Sequence, residues 1–174
     1  MEEIPPEEKP SRFRKIFLIV LAIFLLAIVL TYFLTNGITR DILAGLIESS
    51  TVKNHEVDIN STNKLIFTKE SYDGLLEIYD DNPEKEFKVC LKGNISNGDY
   101  FINEIFEPEM MFQSHNQVVA EPCPSDSLVS MHSHPIKHCL PSDVDLENFE
   151  KFKQNNPAAL IAIMCERERF NFYN

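Results

Sequence analysis

The sequence predicts an α/β domain, a mixed sheet packed with helices, behind one N-terminal helix that is long and apolar enough to cross a membrane. Three observations predict this. Residues 16–34 form a nineteen-residue run without a charge. Beyond residue 64, short β-type apolar runs are interleaved with segments of helical period, the mixture that lays helices on a sheet. No internal repeat divides the 174 residues, which leaves room for one domain of ordinary size.

The apolar run reads IFLIVLAIFLLAIVLTYFL. At ~1.5 Å per residue it spans roughly 28 Å, close to the hydrocarbon thickness of a bilayer. It is longer than a signal-peptide core, no small-x-small cleavage site follows it, and it lacks the polar face of a globular helix. Tyr32 and Phe33 stand where an interfacial aromatic belt belongs. A single-pass anchor is therefore expected. Lys9, Arg12, Arg14 and Lys15 precede the span, whereas only Arg40 and Lys53 follow it closely. That bias favours a cytoplasmic N-terminus and a domain outside.

Residues 1–15, rich in Pro and Glu, are expected to be a disordered tail. Residues 35–63 are expected to form a juxtamembrane stalk and linker. Asn36-Gly37 breaks the first helix, and Ile42, Leu43, Leu46 and Ile47 lie at helical spacing. They suit either a helix on the membrane surface or a continuation of the stalk. The globular domain is placed at 64–174. Within it, 65–67 is a strand, and 68–78 a helix opened by Thr68 and stopped by Asp80-Asp81-Asn82-Pro83. Strand 87–91 closes at Gly93, and Asn97-Gly98-Asp99 turns the chain into strand 100–106. Short strands follow at 118–120 and 127–131, then a helix at 146–154. An apolar run at 158–165 and an exposed or edge strand around 170–172 end the sheet.

Charge narrows the partners. The chain carries a net charge of -11, and residues 51–174 hold 11 Lys and Arg against 21 Asp and Glu. Such a domain repels phosphate backbones, so no nucleic-acid partner is expected. None of Cys90, Cys123, Cys139 and Cys165 is spaced as CxxC, which excludes a zinc knuckle or dithiol motif. They suit small buried hydrophobes or, outside the cytosol, disulfides, and the sequence leaves both open.

The chemistry concentrates in Met131-His132-Ser133-His134-Pro135 and Pro141-Ser142-Asp143-Val144-Asp145. Residues two apart on a strand end point to the same face, so His132 and His134 can lean onto one ion. Asp145 lies in the first turn of the next helix, after a loop long enough to fold back. Two imidazole nitrogens and one carboxylate oxygen leave a fourth tetrahedral position open, the pattern of a catalytic zinc site rather than a closed structural one. Ser142-x-x-Asp145 is also a helix-capping pattern, which by itself accounts for both residues without a metal. It does not account for the paired histidines. His115 and His138 lack that spacing and are expected at the surface, and Cys139 is expected to fill a loop.

His132-Ser-His134-Pro with Pro141-Ser142-x-x-Asp145 resembles the motif of the JAMM (JAB1/MPN/Mov34) metallopeptidases, over roughly residues 64–165. The resemblance implies a JAMM/MPN-like, cytidine-deaminase-like fold and a zinc ion (Zn2+) on His132, His134 and Asp145. It implies Glu86, seven residues before Gly93, as general acid and base, with Glu84 the alternative carboxylate. Ser142 would help hold the oxyanion. It further implies hydrolysis of a peptide or isopeptide bond, with a ubiquitin-like or sulfur-carrier protein as substrate. The 38 residues between Gly93 and His132 leave no room for the insertions that grip a second ubiquitin. The alternative is a membrane-anchored, non-catalytic MPN-type module that docks a partner.

Overall fold

The computed structural model describes residues 11–135 and 137–174, and the expected tail lies largely outside them. Two compact units divide the chain, Met1–Arg40 and Asp41–Asn174.

The first unit is dominated by helix α1, Arg12–Thr35. Ser11 caps it, accepting from the Arg14 backbone N–H at 3.3 Å. The helix has no buried residue and is long and apolar enough to cross a membrane. Asn36 leaves the helical conformation and ends it, and α2, Gly37–Glu48, follows at once.

The second unit is built on an eight-stranded sheet. Its strands are β1 (Ser50–Thr51), β2 (Glu56–Asp58), β3 (Lys64–Phe67), β4 (Lys88–Ser96), β5 (Asp99–Phe106), β8 (Val129–Ser133), β9 (Leu160–Glu166) and β10 (Arg169–Tyr173). They lie in the order β1-β10-β9-β8-β4-β5-β3-β2. The pairs β3–β5 and β8–β9 are parallel and the others antiparallel. A separate two-stranded ribbon joins β6 (Met110–Gln113) to β7 (Val118–Ala120). Helix α3 is Lys69–Asp81, and α4 is Asp143–Lys153.

Local chemistry explains these elements. Thr68 caps α3 by accepting from the Ser71 N–H. Asn97 and Gly98 both take positive φ, 54° and 91°, the backbone that a tight β4–β5 hairpin needs. Gly93 does not close its strand. β4 runs through it to Ser96 with a register shift at Lys92/Gly93. Glycine is required there because an added Cβ would meet the Phe101 carbonyl oxygen at 1.8 Å.

Part of the stretch 35–63, expected as stalk and linker, is built into the sheet. β1 pairs with β10 and β2 with β3, so residues 50–58 supply both edge strands. These two- and three-residue strands are mostly polar because an edge strand has little to bury. Residues 41–48 of α2 also belong to this unit. A Cβ added at buried Gly45 would stand 2.9 Å from that of Cys139.

The central strands divide the core by parity. Phe87, Val89, Leu91, Met131, Ala162 and Met164 turn to one face and join Tyr72 and Leu75 of α3 in the main apolar cluster. The opposite face carries Ile161 and Ile163, covered by Phe149 of α4 and by Cys139. His132 pairs across to Lys88 on β4 and Ile163 on β9. It therefore belongs to this second face, together with Lys88.

Candidate metal centre

The two histidines come from the end of β8. That strand lies inside the sheet, and the His134 N–H, one residue past its end, still donates to the Met164 carbonyl at 3.0 Å. Both rings are buried. Asp145 arrives from α4, whose first turn is fixed by a complete capping box. The Ser142 N–H and hydroxyl both donate to Asp145 Oδ2, at 2.8 and 2.6 Å, and Ser142 Oγ accepts from the Asp145 N–H at 3.2 Å. Asp145 Oδ1 then faces His132 Nε2 at 3.3 Å.

The ligand atoms of His132, His134 and Asp145 lie within 4.8 Å of one another, and this group can hold a metal ion. The two Nε2 atoms are 3.1 Å apart. A tetrahedral zinc with bonds of about 2.0–2.1 Å needs its nitrogens about 3.3 Å apart, so the spacing fits. Tautomer chemistry points the same way. His134 Nδ1 lies 2.6 Å from the His138 carbonyl oxygen, which can only accept. The ring proton therefore sits on Nδ1, and the Nε2 lone pair faces His132. Two ring nitrogens so placed are well satisfied by a cation between them.

Glu86 stands just before β4, with its Oε1 3.7 Å from His134 Nε2. Its backbone is tied on both sides. Its N–H donates to the Ser114 carbonyl at 2.7 Å, and its own carbonyl accepts from Gln113 Nε2 at 3.0 Å. The next residue, Phe87, exchanges two hydrogen bonds with Ser133, the residue between the histidines. Ser133 thus fixes the spacing of Glu86 to the ligand strand. Its role is invisible in sequence, because a serine at that position looks like a spacer. Glu84 is exposed, which leaves Glu86 as the carboxylate at the centre.

Electrostatics differ sharply among these groups. Burial pushes Glu86 up to about 7, with the charge of Asp145 adding to the rise and His132 opposing it. Burial pulls His134 down to about 4, and the neighbouring His132 adds to this, so its ring is neutral at physiological pH. For Asp145, burial alone would raise the pKa. The hydrogen bond and charge of His132, with the hydrogen bonds from Ser142, outweigh it and hold the carboxyl below its ordinary range. A neutral imidazole and an ionised carboxylate are the ligand forms a divalent cation takes.

The structure thus gathers Glu86, His132, His134, Ser142 and Asp145 on one cavity of about 920 Å³. His138 and Cys139 also differ from expectation. His138 lines this cavity, its carbonyl orients His134, and its ring stacks on the His134 ring at 5.8 Å. Cys139 is no loop filler: it is fully buried and bonded to Cys165, while Cys90 is bonded to Cys123. Any residue at position 138 would offer a carbonyl, so no sequence signal marks that contact.

No protein-family model matches the chain, and no curated protein does. Among solved structures it is similar to a JAB1/MPN domain protein from Archaeoglobus fulgidus. The two share 22% identity at a TM-score of 0.43, over 62% of this chain and 87% of that one.

Proposed function

We propose that the chain is a zinc-dependent hydrolase of peptide or isopeptide bonds, held at a membrane by α1. One observation carries this reading: two buried histidines and a half-buried aspartate with their ligand atoms together, and a carboxylate of raised pKa beside them, at the end of an open cavity. A closed structural site would have neither the free position nor the neighbouring base.

His132, His134 and Asp145 would hold a zinc ion, which would supply Lewis acidity and a water acidic enough to ionise near neutral pH. Glu86, whose carboxylate stands 3.7 Å from His134 Nε2, takes a proton from the attacking water and returns it to the departing amine. His138 keeps the His134 lone pair on the site through its carbonyl. Ser142 holds Asp145 in place with its hydroxyl hydrogen committed to Oδ2. Help to the oxyanion from Ser142 requires that hydrogen to turn away from Asp145.

The paired cysteines support a domain on the exported side of the membrane, since disulfides persist in oxidising compartments. The charge asymmetry about the span points the same way. An exported or surface protein is then a better substrate class than a cytosolic ubiquitin-like or sulfur-carrier conjugate.

The test is Glu86→Gln in the full chain. The variant keeps its zinc and loses cleavage by roughly a hundredfold or more, the contribution of general acid and base catalysis. Undiminished cleavage by the variant rejects Glu86 as the base. For orientation, protease added to intact cells removes residues 41–174 if the domain is outside and spares them if it is inside.

A further inference from the structure

The cavity continues well beyond the metal centre, and its far walls have a character of their own. In a domain of net charge -10 over residues 51–174, it is lined by only two acids among the described residues, Glu86 and Asp145, both at the metal end. The rest of the lining includes Lys88, beside the metal end, and Lys151, with amides such as Asn116 and Asn148.

Lys88 stands out. It is half-buried, lies on the metal face of the sheet, and is the cross-strand partner of His132. Its β-carbon therefore sits about 5 Å from that of a metal ligand. Its ammonium donates to the Glu121 carbonyl at 3.0 Å, which fixes it in the cavity wall. No carboxylate lies within ion-pairing distance of it among the described residues, in contrast to Lys151, which is paired to Glu147. An ammonium has three donors, so two remain for a ligand. A half-desolvated cation of this kind is stabilised by an arriving carboxylate.

We propose that Lys88 is the specificity-determining residue of this cavity, binding a carboxylate of an extended peptide whose scissile amide lies at the metal centre. The inference rests on the hydrolase reading above. It names the substrate class as a peptide carrying a carboxylate close to the cleaved bond. That carboxylate comes either from the C-terminus, which makes the enzyme a carboxypeptidase, or from an Asp or Glu side chain, which makes it an endopeptidase for acidic sites.

The test reads binding, so that it stands apart from turnover. Full-length, zinc-loaded protein in detergent micelles carries Glu86→Gln and is titrated with two pairs of peptides by ligand-observed NMR. The first pair is acetyl-tetra-alanine with a free C-terminus and the same peptide as its amide. The second is acetyl-Ala-Ala-Glu-Ala-amide and its Gln counterpart. The charged member of at least one pair binds roughly tenfold tighter than its neutral twin, and the pair that discriminates identifies the source of the carboxylate. Lys88→Met in the same background removes the difference, and Lys88→Arg retains it. Equal binding within both pairs overturns the proposal, as does no binding of any probe, or discrimination that survives Lys88→Met. The comparison of twins needs no change at Lys88, so a variant that fails to fold leaves it standing. Absence of zinc or of turnover in the unaltered chain is read separately and counts against the hydrolase reading instead.

Discussion

The Cys139–Cys165 disulfide ties the ligand loop to the sheet, and removing it has a calculable effect. The bond links residues 26 apart in sequence, both buried, with their Cα atoms 5.0 Å apart. Cys139 directly follows His138, whose carbonyl orients His134, and its own carbonyl accepts from Asn171 Nδ2 at 2.9 Å. The crosslink thus pins the middle of the segment between His134 and Asp145 to β9. In the chain-entropy treatment, closing a loop of 26 residues removes about 12 cal/mol/K from the unfolded chain, or about 3.5 kcal/mol at 25 °C. That is a large share of the 5–15 kcal/mol typical of a whole domain. Cys139→Ala with Cys165→Ala also deletes two buried sulfur atoms, so the crosslink must be isolated from the cavity. Urea unfolding of the chain and the double variant, each with and without reductant, does this. The difference between them under oxidising conditions should exceed the difference under reducing conditions by about 3.5 kcal/mol. An excess below about 1 kcal/mol refutes the argument. Zinc affinity of the double variant should fall by roughly 10–100-fold, as for other losses of outer-shell support.

Two further outcomes follow from the site. Ser142→Ala removes the α4 cap and one of the two hydrogen bonds on Asp145 Oδ2, so unfolding in urea should show a loss of about 1 kcal/mol together with weaker zinc binding. In metal-free protein, His134, with its pKa lowered from 6.5 to about 4, binds fewer protons folded than unfolded, so its contribution makes stability rise with pH across that window. Glu86, raised from 4.5 to about 7, binds more protons folded than unfolded and makes stability fall across its own window. The two slopes oppose each other, so metal-free Glu86→Gln should gain stability from pH 4 to 6.5 more steeply than the unaltered chain. A pH series of urea midpoints checks this, and parallel curves contradict it.

What the sequence made legible was whatever short-range physics decides. Thr68 and Ser142 mark helix starts through their own side chains, and Asn97-Gly98 marks a turn through positive φ. The pairing of His132 with His134 follows from the two-residue period of a strand, and Asp145 from its place after the cap. The rest depends on chain brought from far away. β1 and β2 are too short and polar to carry a pattern, and they are strands only because β10 and β3 lie beside them. Cysteine spacing does not say which thiols meet: Cys90 finds Cys123 across 33 residues. Ser133 and the His138 carbonyl act through bonds that any sequence-local pattern leaves unmarked. Lys88 likewise reads as an ordinary strand lysine until the register sets it opposite His132.

Zinc content most directly tests the central claim that His132, His134 and Asp145 form one metal centre. Full-length protein purified in detergent, equilibrated with zinc and freed of excess, would be analysed by elemental mass spectrometry. The unaltered chain should retain one zinc per chain, and His132→Ala, His134→Ala and Asp145→Ala should each retain almost none. A folded, metal-free chain, or equal zinc in all four proteins, contradicts the account.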